Sequence, residues 1–328
     1  MTLCESKLVA IDDRYELIKE MAVKNMKTGF TLVELLTVLA IISLLVGLII
    51  PSLTMVRKLT KETRQKAQFN TIEMALLVFK NDHGDYPRSN QRDPVTGDIY
   101  CGTQKLTEAL LGWDLMGFHP DSRFQSDGRD GAGNVIYPRP LDPADPAHLE
   151  NLDQREDLYL DLSKANAFRL GVSSAGVDDG LFQDPAPLAP HTYVICDSFA
   201  VKSLTVGTKT FKAGTPILYY RADTSSKIFH TGLVEERIYD CTDNSALLRL
   251  GVLPDAGPAK IHPLTEPGGS GLYFYDVGYK IVDMRASMAM GYATTGVTWP
   301  HRPDSYILIS AGYDGLYGTA DDICNFDN

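Results

Sequence analysis

The sequence predicts an α+β chain. One long amino-terminal helix, membrane-spanning in its first half, packs its second half on an antiparallel sheet within an enlarged, loop-rich head. Three observations carry that prediction. Phe30–Ile50, FTLVELLTVLAIISLLVGLII, is 21 residues with one charge, Glu34. Apolar residues at helical spacing continue well beyond it, at Phe69, Ile72, Leu76 and Phe79. The strand-like runs all come later, short and rich in β-branched and aromatic residues, with long turn-rich links.

Composition sets the outer bounds. With 328 residues, 44% hydrophobic and 22% charged, the chain is not wholesale disordered and can build one large or two small domains. Acids outnumber Lys and Arg 42 to 31, a net charge of −11. No excess of cations is available to release counterions from a phosphate backbone, so nucleic acid is a poor partner.

The first element is the apolar run. At about 1.5 Å per residue it spans roughly 30 Å as a helix, the thickness of a bilayer's hydrocarbon core. A secretory signal peptide has a shorter apolar region followed by small residues at a cleavage site, and this run has neither. A buried core helix would show a polar face, whereas only Glu34, Thr31, Thr37 and Ser43 interrupt this one. The reading is a membrane helix. The 29 residues before it carry five basic and five acidic residues, and Met1, Met21 and Met26 are each in-frame starts.

The helix continues outward. Lys66, Gln68, Asn70, Glu73 and Lys80 occupy the faces away from the Phe69–Phe79 stripe, and Asn81-Asp82-His83-Gly84 supplies the stop. From residue 30 to 83 that makes about 80 Å of helix, with a bend at Pro51. The outer apolar stripe needs a partner, and a sheet is the economical one.

From about Arg88 to Pro190 the chain is dense in Asp, Gly and Pro, as turn-rich surface segments are. Short helices are expected at Leu106–Gly112 and His148–Leu158. Gly128, Gly131 and Gly133 follow no predicted strand, so they are not read as a nucleotide loop. Strands are expected at Thr192–Cys196, Pro216–Arg221, Leu272–Tyr275 and Ser305–Ser310. The seven His are dispersed without zinc-site spacing, and no G-x-S-x-G elbow, Walker loop or Cys-x-x-Cys is present. Nothing in the chain recommends an enzyme. Cys101, Cys196, Cys241 and Cys324 are compatible with two disulfides in any of three connectivities, or with buried thiols.

Lys27-Thr28-Gly29-Phe30-Thr31-Leu32-Val33-Glu34-Leu35-Leu36 resembles the processing site of type IV pilins and of the pseudopilins of type II secretion. In those families a membrane peptidase cuts after the Gly and methylates the new amino-terminal Phe. Pro51 is the twenty-second residue from Phe30, where these families commonly carry a kinking Pro. The resemblance therefore implies Gly29 and Phe30 as processing residues and Glu34 as an assembly residue. Independently, an ionised carboxylate this deep in a membrane helix costs roughly 2.5–3.5 kcal/mol on insertion scales, so Glu34 is a functional candidate. It could pair with the amine of Phe30 in its own chain or in a neighbour. The resemblance favours the neighbour, which would set subunit register.

Charge counting points the other way on topology. Arg57, Lys58, Lys61, Arg64 and Lys66 follow the span, against Lys19, Lys24 and Lys27 before it, which by itself puts the carboxy-terminal side in the cytoplasm. The resemblance implies a cytoplasmic leader and an exported head, with the basic cluster lying along a filament and meeting acidic heads.

A second patch, from Ala67-Gln68-Phe69-Asn70 through Gly84-Asp85-Tyr86-Pro87, is similar to the major pseudopilin, the G-type subunit of type II secretion. That subunit is usually about half this length, so the resemblance covers both ends of the chain and leaves the middle as an insertion or expanded head.

The last segment is Ser310-Ala311-Gly312-Tyr313-Asp314-Gly315-Leu316-Tyr317-Gly318-Thr319-Ala320-Asp321-Asp322-Ile323. Three carboxylates and a hydroxyl separated by glycines suit a hard, oxygen-seeking cation such as Ca²⁺, without EF-hand spacing. The segment is similar to the calcium loop of major pseudopilins, including the closing Ile323-Cys324-Asn325-Phe326. By position the resemblance implies Asp314, Asp321 and Asp322 as side-chain ligands, with Thr319 and the carbonyls of Ser310 and Leu316 as weaker ones.

Taken together, the resemblance implies a leader over 1–29, a transmembrane and assembly helix over 30–56 and an outer helix half over 57–83. A periplasmic head follows over 84–328, with an insertion at about 88–190 and a calcium-type loop at 310–323. The expected role is a structural subunit of a type II secretion pseudopilus in the inner membrane. Its expected partners are copies of itself, other pseudopilins, prepilin peptidase, the inner-membrane assembly platform and membrane lipid. The alternatives are a type IV pilin or minor pseudopilin at a filament tip, or a membrane-tethered binding protein or enzyme using the pilin export route.

Overall fold

The computed structural model describes residues 31–90, 93, 97–171, 180–182, 188–189, 191–206, 208–225, 238–250, 301–317, 319 and 321–326. The leader, Gly29, Phe30 and the strand expected at Leu272–Tyr275 lie outside the described residues. Two compact units are present, Met1–Arg57 and Lys58–Asn328.

Helix α1 runs from Leu32 to His83 and includes Pro51. Its amino-terminal stretch is exposed at every described position as far as Thr60, with Leu, Ile and Val on all sides. Such a surface is unfavourable in water and suited to lipid. The outer part behaves differently: Phe69, Ile72, Ala75, Leu76 and Phe79 are all buried, the expected three- and four-residue spacing. The helix stops where the turn formers stand. Gly84 takes φ +83° and its N–H donates to Lys80 O at 2.7 Å, a left-handed closing residue that glycine adopts without cost.

The head contributes α2 (Gly102–Leu111), α3 (Pro146–Asp153), the single turn α4 (Leu162–Ala165) and α5 (Ser245–Leu250). Its strands are β1 (Ala167–Arg169), β2 (Tyr193–Ile195), β3 (Lys202–Val206), β4 (Lys209–Ala213), β5 (Leu218–Arg221), β6 (Tyr306–Ser310) and β7 (Ile323–Cys324). The pairings among these strands are antiparallel: β1 with β2, β3 with β4, and β5-β6-β7 as a three-stranded sheet. The α+β class is as the sequence predicts.

That central sheet is buried on both faces. Alternate residues point opposite ways along a strand, so Ile217, Tyr219, Tyr306 and Leu308 join the stripe of α1 and Leu106, Ala109 and Leu110 of α2 in one core. Leu218, Tyr220, Ile307 and Ile309 join Leu170, Val194 and Leu247 in the other. The stretch over 88–190, expected as an insertion, thus supplies a helix, α2, to the main core. At its start a Cβ on Gly102 would sit 2.5 Å from Tyr219 O, so only glycine lets α2 approach β5 this closely.

Cys101, Cys196 and Cys324 are buried as thiols, in keeping with the second of the two cysteine readings. Burial pushes Cys101 up to about 12, which makes it a small core residue and not a nucleophile.

Candidate functional site

Two regions hold the residues singled out by sequence. The first is the start of α1. Thr31 precedes the first helical residue, and its N–H and hydroxyl donate to Glu34 Oε2 at 2.8 and 2.7 Å. The Glu34 N–H is 3.2 Å from Thr31 Oγ1. This is a capping box, Thr-x-x-Glu, which satisfies amide donors that the first helical turn leaves without partners. Glu34 therefore has a described local partner, and both of Thr31's bonds use Oε2. Sequence reading missed Thr31, although the four-residue signature Thr31-Leu32-Val33-Glu34 was available. Phe30, the other expected partner, lies outside the described residues.

The second region is the carboxy-terminal loop between β6 and β7. Asp321 is its hub: Oδ2 accepts from the backbone N–H of Tyr313 at 2.8 Å and of Asp314 at 3.0 Å, and Oδ1 accepts from Thr319 Oγ1 at 2.6 Å. Partial burial raises the Asp321 carboxyl, but these hydrogen bonds outweigh it and hold the group below the usual carboxylate range. Gly312 is obligatory here: φ is +64°, and a Cβ would lie 2.0 Å from Asp321 O.

The remaining expected ligands divide. Asp314 Oδ1 accepts from Leu316 N at 2.8 Å, while Leu316 O lies 3.2 Å from the Thr319 hydroxyl. Asp322 Oδ1 is shut off from solvent. The Ser310 hydroxyl turns inward and donates to Asp197 Oδ2 at 3.1 Å. For calcium, the fit is partial. Leu316 O, Thr319 Oγ1 and Asp321 Oδ1 form a cluster of oxygens a hard cation could share. Among the described residues, however, no group of three or more His, Cys, Asp or Glu side chains gathers as metal ligands do.

Asp197 was not visible in the sequence as a site residue. It is fully buried, and its Oδ1 accepts from Phe199 N at 3.1 Å and Thr215 N at 3.2 Å. Burial pushes it up to about 7 against those bonds, Ser310 and the charge of Lys61. No local pattern marks such a residue, because its partners come from four separate parts of the chain.

The closing Ile-x-Asn-aromatic has a mechanical role. Asn325 Oδ1 accepts from Leu308 N at 3.0 Å, its N–H donates to Leu308 O at 3.2 Å, and its Nδ2 donates to Glu73 Oε1 at 2.9 Å. Arg302 also binds Glu73 Oε1. Phe326 stacks on His301, with ring centroids 4.0 Å apart and planes 4° apart. The tail is thus fastened to β6 and to the outer half of α1. The Tyr-Pro patch fastens the chain just past the carboxy-terminal end of that helix: Tyr86 packs edge-on against Tyr306 at 4.8 Å, and Pro87 O accepts from Tyr219 OH at 2.7 Å.

Among the described residues one helix, α1, is long and apolar enough to cross a membrane, and its apolar window is wholly exposed. Residues 24–50 match the family described as the prokaryotic N-terminal methylation motif. No curated protein and no solved structure matches the chain. The matched segment takes in the Gly29–Phe30 junction, the Thr31–Glu34 box and the whole apolar run to Ile50. A membrane-length helix thus carries the prokaryotic N-terminal methylation motif at its start, with an α+β head following it in sequence.

Proposed function

We propose that the chain is a structural subunit of a type II secretion pseudopilus, anchored in the inner membrane by α1 with its head in the periplasm and assembled with copies of itself. The observation that carries this reading is the methylation motif at the start of a helix that is apolar on every face for its first half and striped in its second. A helix of that kind suits lipid before assembly and neighbouring helices after it. Cleavage after Gly29 by prepilin peptidase would leave Phe30 as a methylated amino terminus. Glu34 Oε1, used in neither bond to Thr31, would then be placed to accept the neighbour's amine.

Within this proposal the carboxy-terminal loop takes Ca²⁺ through Asp321, Thr319 and the Leu316 carbonyl, with Asp314, Asp322 and the Ser310 carbonyl completing the set. The supporting features are the acid spacing and the three-oxygen cluster around Thr319.

The test of the main reading is a cysteine pair on opposite faces of α1, scored for cross-linked ladders in membranes of cells with and without the secretion machinery. Ladders that require the type II assembly platform support it. Ladders that persist without the platform but require a type IV pilus motor would move the chain to the pilins. That second reading, a type IV pilin or minor pseudopilin at a tip, is favoured by one feature: α3 is a capped helix with no buried residue, a head element left open for a partner.

A further inference from the structure

A groove of about 290 Å³ lies between the outer half of α1, which lines it with Arg64, Ala67, Gln68 and Thr71, and the turn α4, which adds Ser163 and Lys164. Bonds between the two walls fix its floor. Gln68 Nε2 donates to Ala165 O at 3.2 Å and Cys196 O at 2.9 Å, and Asn166 Nδ2 donates to Asp197 O at 2.6 Å. The Thr71 hydroxyl donates to Ala67 O at 2.9 Å and the Ser198 hydroxyl to Lys61 O at 3.3 Å. The amides and hydroxyls of the groove thus spend their donors inside the chain.

The two cations do not. Arg64 is exposed and forms no ion pair among the described residues. Lys164, also exposed, lies in the field of Asp161, but that carboxylate is occupied as the cap of α4, accepting from Ser163 N at 2.8 Å. Among the described residues no carboxylate lines the groove. It is a basic slot without an acid of its own.

The opposite surface stands elsewhere on the head. Between residues 142 and 157 the chain carries six acids and one basic residue, Arg155. Arg155 is buried and paired with Asp114 at 2.7 Å, so it neutralises none of them at the surface. α3 lies in this segment and buries no residue. Asp153 follows Leu149 by four residues and Glu150 by three, so the three side chains share one exposed face. Glu150 and Asp153 form no ion pair among the described residues.

We infer that the groove takes the α3 face of a second copy of this chain, with Glu150 and Asp153 meeting Arg64 and Lys164 and with Leu149 lying over Ala67. Charge selects the occupant: the complement of a basic slot is an acidic ridge, and this chain carries one that its own fold leaves uncovered. Exposed ion pairs alone hold little, so the apolar contact of Leu149 with Ala67 is part of the fit. Groove and ridge are different surfaces, which makes the contact heterologous and lets it pass from each copy to the next. The inference rests on the assembly of copies proposed above and names where two heads meet.

The test uses the full chain in membranes of cells carrying the secretion machinery. Ala67→Cys and Leu149→Cys, both at exposed positions, are combined in one chain and oxidised with copper phenanthroline. The pair should give a ladder of cross-linked copies, which neither cysteine alone reproduces. Reversing one side, as Arg64→Glu with Lys164→Glu or as Glu150→Lys with Asp153→Lys, sets like charges face to face and should lower the ladder by roughly tenfold or more. All four side chains are exposed, so folding should not change, and both reversals together should restore the ladder. No ladder from the Ala67–Leu149 pair while the α1 pair still cross-links would overturn this contact and leave the pseudopilus reading standing. A ladder indifferent to either reversal, or one that the combined reversal fails to restore, would overturn the charge pairing. Absence of both ladders would overturn the two readings together.

Discussion

Thr31 and Glu34 satisfy each other across the first turn of the membrane helix, through one carboxylate oxygen that takes both the amide and the hydroxyl of the threonine. The consequence is that capping and charge pairing can be separated by substitution, because a capping box works with Gln as well as with Glu.

Glu34→Gln should therefore keep the helix start and insert at least as well as the parent, since it removes the cost of a carboxylate in lipid. It should lose subunit cross-linking all the same, because the amide has no charge to offer a neighbour's amine. Undiminished cross-linking in the Gln variant would reduce Glu34 to a cap.

Processing is checked by mass. The membrane-extracted chain should begin at a methylated Phe30, and a bulky residue in place of Gly29 should leave Lys24–Gly29 attached by crowding the peptidase site. A mature wild-type chain that still carries those residues would sink the prepilin reading.

Calcium should raise the melting temperature of the full chain in detergent relative to chelator, through binding the folded state by RT ln(1 + [L]/Kd), about 2.7 kcal/mol at a hundredfold excess over Kd. Mg²⁺ should do less, since it keeps its waters and demands a tight octahedron. Asp321→Ala should remove most of the difference and should also cost about 1 kcal/mol in chelator, where it deprives Tyr313 N, Asp314 N and Thr319 of their acceptor. Equal melting with and without Ca²⁺ would leave the loop held by its hydrogen bonds alone.

Two buried acids give the head a pH dependence of definite sign. Glu108 accepts from Tyr100 OH at 2.7 Å and Ser122 Oγ at 2.5 Å, and burial pushes it up to about 7, as it does Asp197. A carboxyl with a raised folded pKa holds its proton more tightly when folded. Its contribution is fully present below the unfolded value, near 4, and is lost as pH rises through about 7. Lys105, pushed down to about 8 by burial, titrates above that window. Urea midpoints should therefore fall between about pH 4 and pH 7, and Glu108→Gln or Asp197→Asn should flatten the slope. A slope unchanged in both variants would place its source elsewhere.

Asn325→Ala should destabilise the head by about 1–3 kcal/mol, because it strips partners from the buried Leu308 N–H and from Glu73. A double-mutant cycle with Glu73→Gln should show coupling, and strict additivity would mean that the tail-to-helix contact contributes nothing.

The parts of the fold that were legible are those written as periodicity. The α1 stripe and its stop at His83–Gly84 were readable because apolar spacing and turn formers agree there. The strands at β2, β5 and β6 fall inside the segments expected for them, shortened by one or two residues. The start of α2 was not legible. It begins four residues before Leu106 because Thr103, Gln104 and Lys105 are buried too, against Asn244, Thr192 and Asn90, so no polar face marks it. The β3–β4 hairpin was missed for the opposite reason: Ser203, Thr205, Lys209, Thr210, Phe211 and Lys212 are all exposed, which leaves little apolar alternation to read. At the site, Thr31 was written in plain local code, whereas Asp197 depends on contacts that only the folded chain brings together.

The strand order β5-β6-β7 has a consequence for timing. β5 waits for β6, whose register partners lie 85 residues on from Arg221 (Tyr306) and 91 on from Leu218 (Ile309), and Glu73 waits for Asn325 across 252 residues. Closing loops that long is slow, and no shorter route assembles this sheet. Until β6 is made, Phe69, Ile72, Leu76 and Phe79 lack Tyr306 and Leu308, two of the residues that close their core. A chain that stops before β6 should therefore leave part of the α1 stripe uncovered and aggregate, not fold as a shorter head.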